Sequence, residues 1–320
     1  MRGRDATRPD RRRESEVRFD LSRLPERFHL GTSSFSTTDW CGSFYPADLP
    51  QHEFLSHYAK VFRTVEIDAT WHFMPGARTV DAWERKVPEG FVFAAKVPKV
   101  ITHEKHLENC REDWERFLET MERLGGKLGP LLFQFKYFPK RQDAEEHKTG
   151  EKFLRRLEAF LPLLPDRGRY VVEIRNETWL RPPLMDLLRS RGIALALVDH
   201  VTMPRPARWF ELCDPITADF SYVRFLGDHH AMDNLVAHKR EGGGKSRDWD
   251  ELVVDRASEM REWVPVLQRV ASGVGDLYAY FNNHYAGFAP GSIELFLRVW
   301  EEETGRGSPA GTPRPREEGP

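Results

Sequence analysis

The sequence predicts a single (β/α)8 TIM-like barrel, an α/β fold in which parallel strands alternate with helices around a packed interior. Eight short apolar or β-branched runs follow one another along the chain, and most precede a segment with helical periodicity. The length of 320 residues suits one such barrel. No Gly-x-Gly-x-x-Gly pattern follows the first run, which weakens the alternative of a doubly wound dinucleotide-binding sheet.

The predicted strands are apolar runs bounded by glycine, proline or charged residues. They span 28–35, 64–70, 91–97, 129–135, 170–175, 193–199, 218–225 and 276–282. Runs that are apolar along their whole length, such as 193–199, are typical of parallel strands whose two faces are both buried. This pattern favours a sheet covered by helices.

The predicted helices are segments with apolar residues three and four positions apart. One such stripe runs from Leu107 to Leu124. Others fall within 54–62, 77–86, 153–164, 184–188, 250–270 and 293–300. A kink is expected at Pro265, within 250–270. Prolines within 200–217 predict that the helix between strands six and seven is short or missing.

The barrel is predicted to span 28–303, between a charged flexible arm (1–27) and a disordered tail (304–320). The formal net charge of −2 excludes a globally basic nucleic-acid coat and a polybasic membrane anchor. No apolar run is long enough for a bilayer, and no signal sequence begins the chain. The three cysteines are scattered, so we expect a reduced cytoplasmic protein without a membrane partner.

Polar side chains stand at the carboxyl ends of the predicted strands, where (β/α)8 barrels carry their working groups. They are Ser33, Glu66, Lys96, Gln134, Glu173, Arg175, Asp199, Arg224, Asn282 and Asn283. Such groups are costly inside apolar strands unless they are paired or solvated. The set predicts a functional site, although any single pair, such as Glu173 with Arg224, is also what a buried ion pair holding the barrel together requires.

Each residue type indicates a role at that site. Glu66, Glu173 and Asp199 are candidate catalytic acids or bases, and His103 is a candidate proton carrier. Lys96, Arg175 and Arg224 are predicted to bind an anionic group. Gln134, Asn282, Asn283 and Ser33 are candidates for orienting the substrate, and Trp179 for stacking on a ring.

No cofactor follows from the sequence, because the histidines match no specific metal-ligand motif. A divalent metal and its ligands stay unassigned. The glycine run Gly242–Gly244 is interpreted as a surface loop or a lid. The sequence specifies no oligomeric state.

Several of these residues lie in longer motifs that occur in a fixed order. They are Gly31-Thr32-Ser33-Ser34, Thr64-Val65-Glu66-Ile67-Asp68, Lys96, Ile101-Thr102-His103, Gln134, Val172-Glu173-Ile174-Arg175, Tyr222-Val223-Arg224 and Phe281-Asn282-Asn283-His284. From about residue 28 to 300 the chain resembles the domain-of-unknown-function 72 family, the YecE-like proteins. Asp68 stands where an asparagine is commoner in that family.

The resemblance implies a TIM-like barrel with an unassigned activity. It also implies that Glu66, Lys96, His103, Gln134, Glu173, Arg175, Arg224 and Asn282 are site residues, since they match the family's motifs. Three functions are compatible with these residues. The first is a hydrolase or lyase acting on a phosphorylated or anionic ring-bearing small molecule. The second is nucleic-acid binding or phosphodiester processing at the barrel mouth, and the third is a non-catalytic interaction protein.

Overall fold

The computed structural model describes residues 19–241 and 248–305, so the predicted lid at Gly242–Gly244 lies outside the described residues. The described part of the chain contains eight parallel strands separated by helices, which confirms the predicted (β/α)8 barrel. The strands β1 to β8 are Phe28–Thr32, Thr64–Ile67, Val92–Lys96, Leu128–Gln134, Tyr170–Glu173, Ala194–His200, Phe220–Gly227 and Asp276–Phe281.

The helices surround the strands, and most of them bury apolar residues against the barrel. The α-helices α1 to α11 are Phe54–Tyr58, Ala77–Lys86, Arg111–Met121, Ala144–Thr149, Glu151–Phe160, Pro182–Ser190, Trp209–Leu212, His229–Glu241, Ala257–Gly273, Asn283–Ala286 and Ala289–Gly305. Short 3-10 helices and one π-helix, Val100–Glu104, occupy several connections. None of the helices in the described ranges is long and apolar enough to cross a bilayer.

Three local elements differ from their sequence-based predictions. Strand β2 ends at Ile67, and the rest of the predicted strand is a 3-10 helix, Asp68–Trp71. Helix α3 begins only at Arg111, because the preceding residues 106–109 include left-handed backbone conformations that a helix does not allow. Helix α8 was not predicted, since its sequence has few apolar residues. The short α7 between β6 and β7 agrees with its prediction.

The first described residues pack onto the barrel. Phe19 and Leu24 are buried, and the ring of Phe19 meets those of Phe44 and Phe62 edge to face, with centroids 5.8 and 5.2 Å away. The part of the predicted arm from residue 19 onward is therefore attached to the core. Residues 1–18 and 306–320 lie outside the described ranges.

The sheet has one junction without a backbone ladder in the described strands. Neighbouring strands pair in the order β1-β8-β7-β6-β5-β4-β3-β2, which leaves β1 beside β2 without a strand pairing. The phenol of Tyr58, from α1, bridges this β1–β2 seam. Its hydroxyl accepts the N–H of Thr32 (2.9 Å) and donates to the carbonyl oxygen of Thr64 (3.1 Å). Gly31 is required here, because a Cβ atom would overlap that carbonyl.

Replacing Tyr58 with phenylalanine is expected to lower the free energy of unfolding by about 2 kcal/mol, because the buried Thr32 N–H and Thr64 carbonyl lose their shared partner. Urea denaturation followed by circular dichroism measures this change. Tyr137→Phe is the control, since Tyr137 is 43% exposed and a lost hydroxyl there costs little. Equal midpoints for Tyr58→Phe and the parent protein would show that the phenol does not hold the seam.

Candidate active site at the barrel mouth

A buried ion triad crosses the interior of the barrel near the carboxyl ends of the strands. Arg224, from β7, contacts Glu66 of β2 (Nη2 to Oε1, 2.7 Å) and Glu173 of β5 (Nη1 to Oε2, 2.8 Å). All three residues are buried. The second oxygen of Glu66 accepts a hydrogen bond from the hydroxyl of Tyr222 (2.6 Å). The triad therefore links three strands through the centre of the barrel.

The carboxylate of Glu173 is held in the ionised form. Burial alone raises the pKa of Glu173, but the positive charges of Arg175 and Arg224 outweigh it and lower the pKa to about 2. Burial also disfavours the charge on Arg224, and the three acidic neighbours Glu173, Glu66 and Asp68 more than offset this, so its pKa is raised. At neutral pH Glu173 and Arg224 are therefore charged and paired with each other.

A second set of charges lies nearer the solvent, and we call Asp68, Lys96 and Arg175 the rim group. Lys96 Nζ lies 3.2 Å from Asp68 Oδ1, and Arg175 Nε donates to Glu173 Oε1 over 2.6 Å. The side chain of Asp68 is 32% exposed, that of Arg175 12% and that of Lys96 10%. The rim group thus joins the triad to the mouth of the barrel and offers charged groups to a ligand.

The π-helix after β3 places a neutral imidazole beside the rim group. The indole N–H of Trp71 points to His103 Nδ1 (3.4 Å), and Lys96 Nζ lies 4.6 Å from the centroid of the Trp71 ring. Because an indole can only donate, Nδ1 is the acceptor and the proton of neutral His103 is on Nε2. Burial, and then the charges of Lys96 and Lys136, lower the pKa of His103 to about 4.

Two further histidines near the mouth were missing from the predicted site. Burial, followed by the positive charge of Arg175, lowers the pKa of His200 to about 4. The pKa of His229 is also about 4, through burial and its neighbour His284, whose ring stacks on that of His229 with centroids 4.2 Å apart. His200 directly follows Asp199 in the sequence, and neighbouring residues of a strand point to opposite faces, so His200 is the alternative candidate at the end of this strand.

A cavity of about 240 Å³ opens beside the rim group and is lined by Asp68 and three of the predicted substrate-binding residues, Ser33, Asn282 and Asn283. The Ser33 hydroxyl is buried and has no hydrogen-bond partner among the described residues. Asn282 caps α10 by accepting the backbone N–H of His284 (3.0 Å). The side-chain oxygen of Asn283 accepts the N–H of the Trp40 indole (3.3 Å).

Gln134 lies next to Glu173 in the register of β4 and β5, and its amide donates to the carbonyl oxygen of Phe135 (2.5 Å). The structure does not bring the remaining two predicted residues to the rim group. Asp199 accepts hydrogen bonds from Trp263 of α9 (2.7 Å) and from Tyr285 (3.2 Å), and burial raises its pKa. It therefore faces the helices.

Trp179 stacks on Phe153 with centroids 4.9 Å apart, and its indole N–H bonds to the carbonyl of Glu146 (2.9 Å). It lines a different cavity, beyond the π-helix. Within residues 19–241 and 248–305, no group of three or more His, Cys, Asp or Glu side chains is arranged to hold a metal ion. The chemistry of the described mouth is therefore that of paired carboxylates, cations and neutral imidazoles.

Comparison of the sequence with known proteins shows which family it matches. The family model described as "Protein of unknown function DUF72" matches residues 29–317. Among curated proteins, the UPF0759 protein YunF of Bacillus subtilis is 23% identical over 290 residues, which are 86% of this chain and 95% of YunF. The UPF0759 protein YecE of Escherichia coli K12 is 26% identical over 149 residues, 47% of this chain and 51% of YecE.

Solved structures show the same architecture. A DUF72 family protein from Thermotoga maritima has a TM-score of 0.66 and 28% identity, covering 87% of this chain and 100% of its own. One from Enterococcus faecalis has a TM-score of 0.63 at 20% identity, covering 86% of this chain and 95% of its own. A D-tagatose 3-epimerase-like protein shares the fold, with a TM-score of 0.51 and 11% identity over 88% of this chain and all of its own.

Proposed function

This chain belongs to the DUF72 family, and from the geometry of its barrel mouth we propose that it is an enzyme, a hydrolase or lyase, acting on a phosphorylated or otherwise anionic, ring-bearing small molecule. The observation that carries the proposal is the rim group beside His103. Two largely buried cations, Lys96 and Arg175, lie at the opening of a barrel, next to a carboxylate and an imidazole N–H donor. This combination suits anion binding coupled to proton transfer.

In this proposal Lys96 and Arg175 bind the anionic group of the substrate. The Nη atoms of Arg175 are available to a ligand, because the contact to Glu173 is made through Nε. His103 donates from Nε2, and an anion next to it offsets the positive charges that lower its pKa. Asp68 is ionised, since Lys96 and Arg224 lower its pKa against the effect of burial, and its partial exposure lets it serve as a general base.

The buried triad has a positioning role in the same proposal. Glu66 and Arg224 bond to each other inside the barrel, and Arg224 also holds Asp68, whose Oδ1 lies 3.7 Å from Arg224 Nη2. Glu173 fixes Arg175. Gln134 and Asn282 are assigned to orienting the substrate. The catalytic and binding roles predicted from the sequence are thus divided between residues that meet the ligand and residues that hold them.

The binding step is tested with inorganic phosphate by isothermal titration calorimetry. Lys96→Met and Arg175→Met are each expected to weaken phosphate binding about 10- to 100-fold, because a charge-assisted hydrogen bond contributes roughly 1.5–3 kcal/mol. Lys99→Met and Arg191→Met are controls of the same residue types at exposed positions outside the rim group, and we expect parent-like affinity for both. Unchanged phosphate affinity in both rim variants would overturn the assignment.

The catalytic step is tested by phosphate release from a panel of aryl and sugar phosphates. We expect release by the parent protein and none above background by Asp68→Asn, which removes the base. Asp68→Asn should still bind inorganic phosphate at least as tightly as the parent, because it removes a negative charge from the rim group. Parent-like turnover by Asp68→Asn would exclude this residue as the base.

A further inference from the structure

A second cavity, of about 380 Å³, lies on the other side of the π-helix, between the end of β4 and the start of α5. We call it the aromatic cavity, because Phe135, Phe138, Phe153 and Trp179 line it. Phe153 is fixed between two of the others, edge to face with Phe135 at 4.8 Å and stacked on Trp179 at 4.9 Å. Its volume falls in the range of small-molecule pockets, about 300–1,000 Å³. The wall is preformed and suits a flat ring.

Among the described residues that line the aromatic cavity, one cationic side chain has no ionic partner. Lys152 pairs with Asp143, and Arg156 pairs with Glu108 at 3.0 Å. The carboxylate of Glu146, which also lines the cavity, accepts the backbone N–H groups of residues 152 and 153 at 2.8 and 2.9 Å. Lys136 is exposed and forms no ion pair within the described ranges. The cavity therefore favours a ligand that carries negative charge next to an aromatic ring.

The backbone that forms one wall of this cavity is unusual. Val100–Glu104 is a π-helix, a rare form that is frequently found at functional sites. It is followed by three non-glycine residues in left-handed conformations, His106 (φ 51°), Leu107 (φ 68°) and Asn109 (φ 50°). Each of these conformations costs energy. Strained residues of this kind cluster at active and ligand-binding sites, where the surrounding structure holds them in place. The strained segment holds Thr102 and His106 against the cavity.

The same segment connects the aromatic cavity to the rim group. Thr102 lines the cavity, and its hydroxyl lies 2.8 Å from His103 Nδ1. His103 in turn contacts Trp71, with ring centroids 5.0 Å apart, and Trp71 carries Lys96 over its face. One short path of contacts therefore leads from the cavity wall through His103 to Lys96.

We propose that the aromatic cavity holds the ring of the substrate while its anionic group lies beside His103, between Lys136 and Lys96. This inference rests on the proposed function and narrows the substrate class to a phosphate monoester of a planar aromatic or heteroaromatic alcohol. The ring packs against the phenylalanine and tryptophan side chains, and the phosphate meets the rim group. Trp179 then has the stacking role predicted from the sequence, at a distance from the charged residues.

Calorimetry with naphthyl phosphate, naphthol and inorganic phosphate separates the two parts of the ligand. We expect the parent protein to bind naphthyl phosphate at least about tenfold more tightly than inorganic phosphate. Gln142→Trp, at the exposed edge of the cavity, should remove this advantage and leave phosphate affinity unchanged. Arg141→Trp is its control, since residue 141 is exposed and does not line the cavity. Lys136→Gln should weaken naphthyl phosphate binding about threefold, and Lys140→Gln should not.

The outcomes distinguish this inference from the proposed function. Phosphate binding that depends on Lys96 and Arg175, without any gain from the naphthyl ring, would overturn the inference and leave the proposed function standing. Absence of phosphate and naphthyl phosphate binding by the parent would overturn both. A third outcome is that naphthol binds as tightly as naphthyl phosphate, with both losing affinity in Gln142→Trp. That result would overturn the inference, because the cavity would then bind a ring without any contribution from the phosphate and the rim group.

Discussion

Replacing Arg224 with methionine is expected to lower the free energy of unfolding by about 3–5 kcal/mol, because it leaves the buried Glu66 without its cationic partner and removes one of the two arginine partners of Glu173. Arg224 is fully buried between Glu66 and Glu173, at 2.7 and 2.8 Å. Methionine replaces the aliphatic part of arginine without a clash, so most of the loss comes from the missing guanidinium charge and its hydrogen bonds. Urea denaturation at neutral pH measures it.

Arg111→Met is the matched control for this substitution. Arg111 pairs with Glu115 on the surface, where both side chains are more than half exposed, so its removal is expected to leave the unfolding midpoint unchanged. The double variant Glu66→Gln, Arg224→Met should regain much of the stability lost in Arg224→Met, since Glu173 keeps Arg175 as its partner and position 66 carries no charge. A single Arg224→Met variant as stable as the parent would contradict the role of Arg224 as the buried partner of Glu66 and Glu173.

Replacing Glu173 with glutamine is expected to lower the free energy of unfolding at neutral pH on the order of 3 kcal/mol, because the folded pKa of Glu173 is about 2 against 4.5 for an ordinary glutamate. A lowered folded pKa gives stability that is present above the unfolded value and disappears as the pH falls towards about 2. The difference in the free energy of unfolding between the parent protein and Glu173→Gln should therefore become smaller in acid.

Denaturation curves at about pH 6 and about pH 3 test this dependence, and the parent should lose about 2 kcal/mol more than Glu173→Gln between them. Glu115→Gln serves as the control, because Glu115 is exposed and its pair with Arg111 contributes little at either pH. A constant difference between parent and Glu173→Gln across this range would show that Glu173 does not titrate with the fold.

The barrel could be predicted from the sequence because parallel strands covered on both sides must be apolar along their length, and eight such runs alternate with amphipathic segments. The gathering of Glu66, Glu173 and Arg224 at one end follows from the same rule. Their pairing could not be predicted, because it depends on the register of strands that are far apart in the chain. The sequence left two interpretations open for Glu173 and Arg224, a functional site and a buried ion pair, and the structure shows the ion pair.

The face on which each strand residue lies was harder to predict. Both faces of β6 are buried and apolar, so alternation alone does not tell which of Asp199 and His200 faces the barrel interior. Asp199 was predicted as catalytic, and it contacts Trp263 and Tyr285 on the helix side. The placement of His103 by a π-helix was also beyond the sequence, because that backbone form has no clear residue pattern.

The β1–β2 seam has a consequence for the molecule as a whole. In a fully hydrogen-bonded barrel every strand pairs with two neighbours, so the sheet has no edge strand. Here the ladder runs from β1 round to β2 and stops, so the sheet is a curved ribbon whose two free borders meet. The phenol of Tyr58 bonds to both borders, and the pairs Glu66–Arg224 and Thr64–Tyr280 also attach β2 to the strands on the other side of the seam. The sheet is thus closed into a cylinder by side chains and not by its backbone ladder.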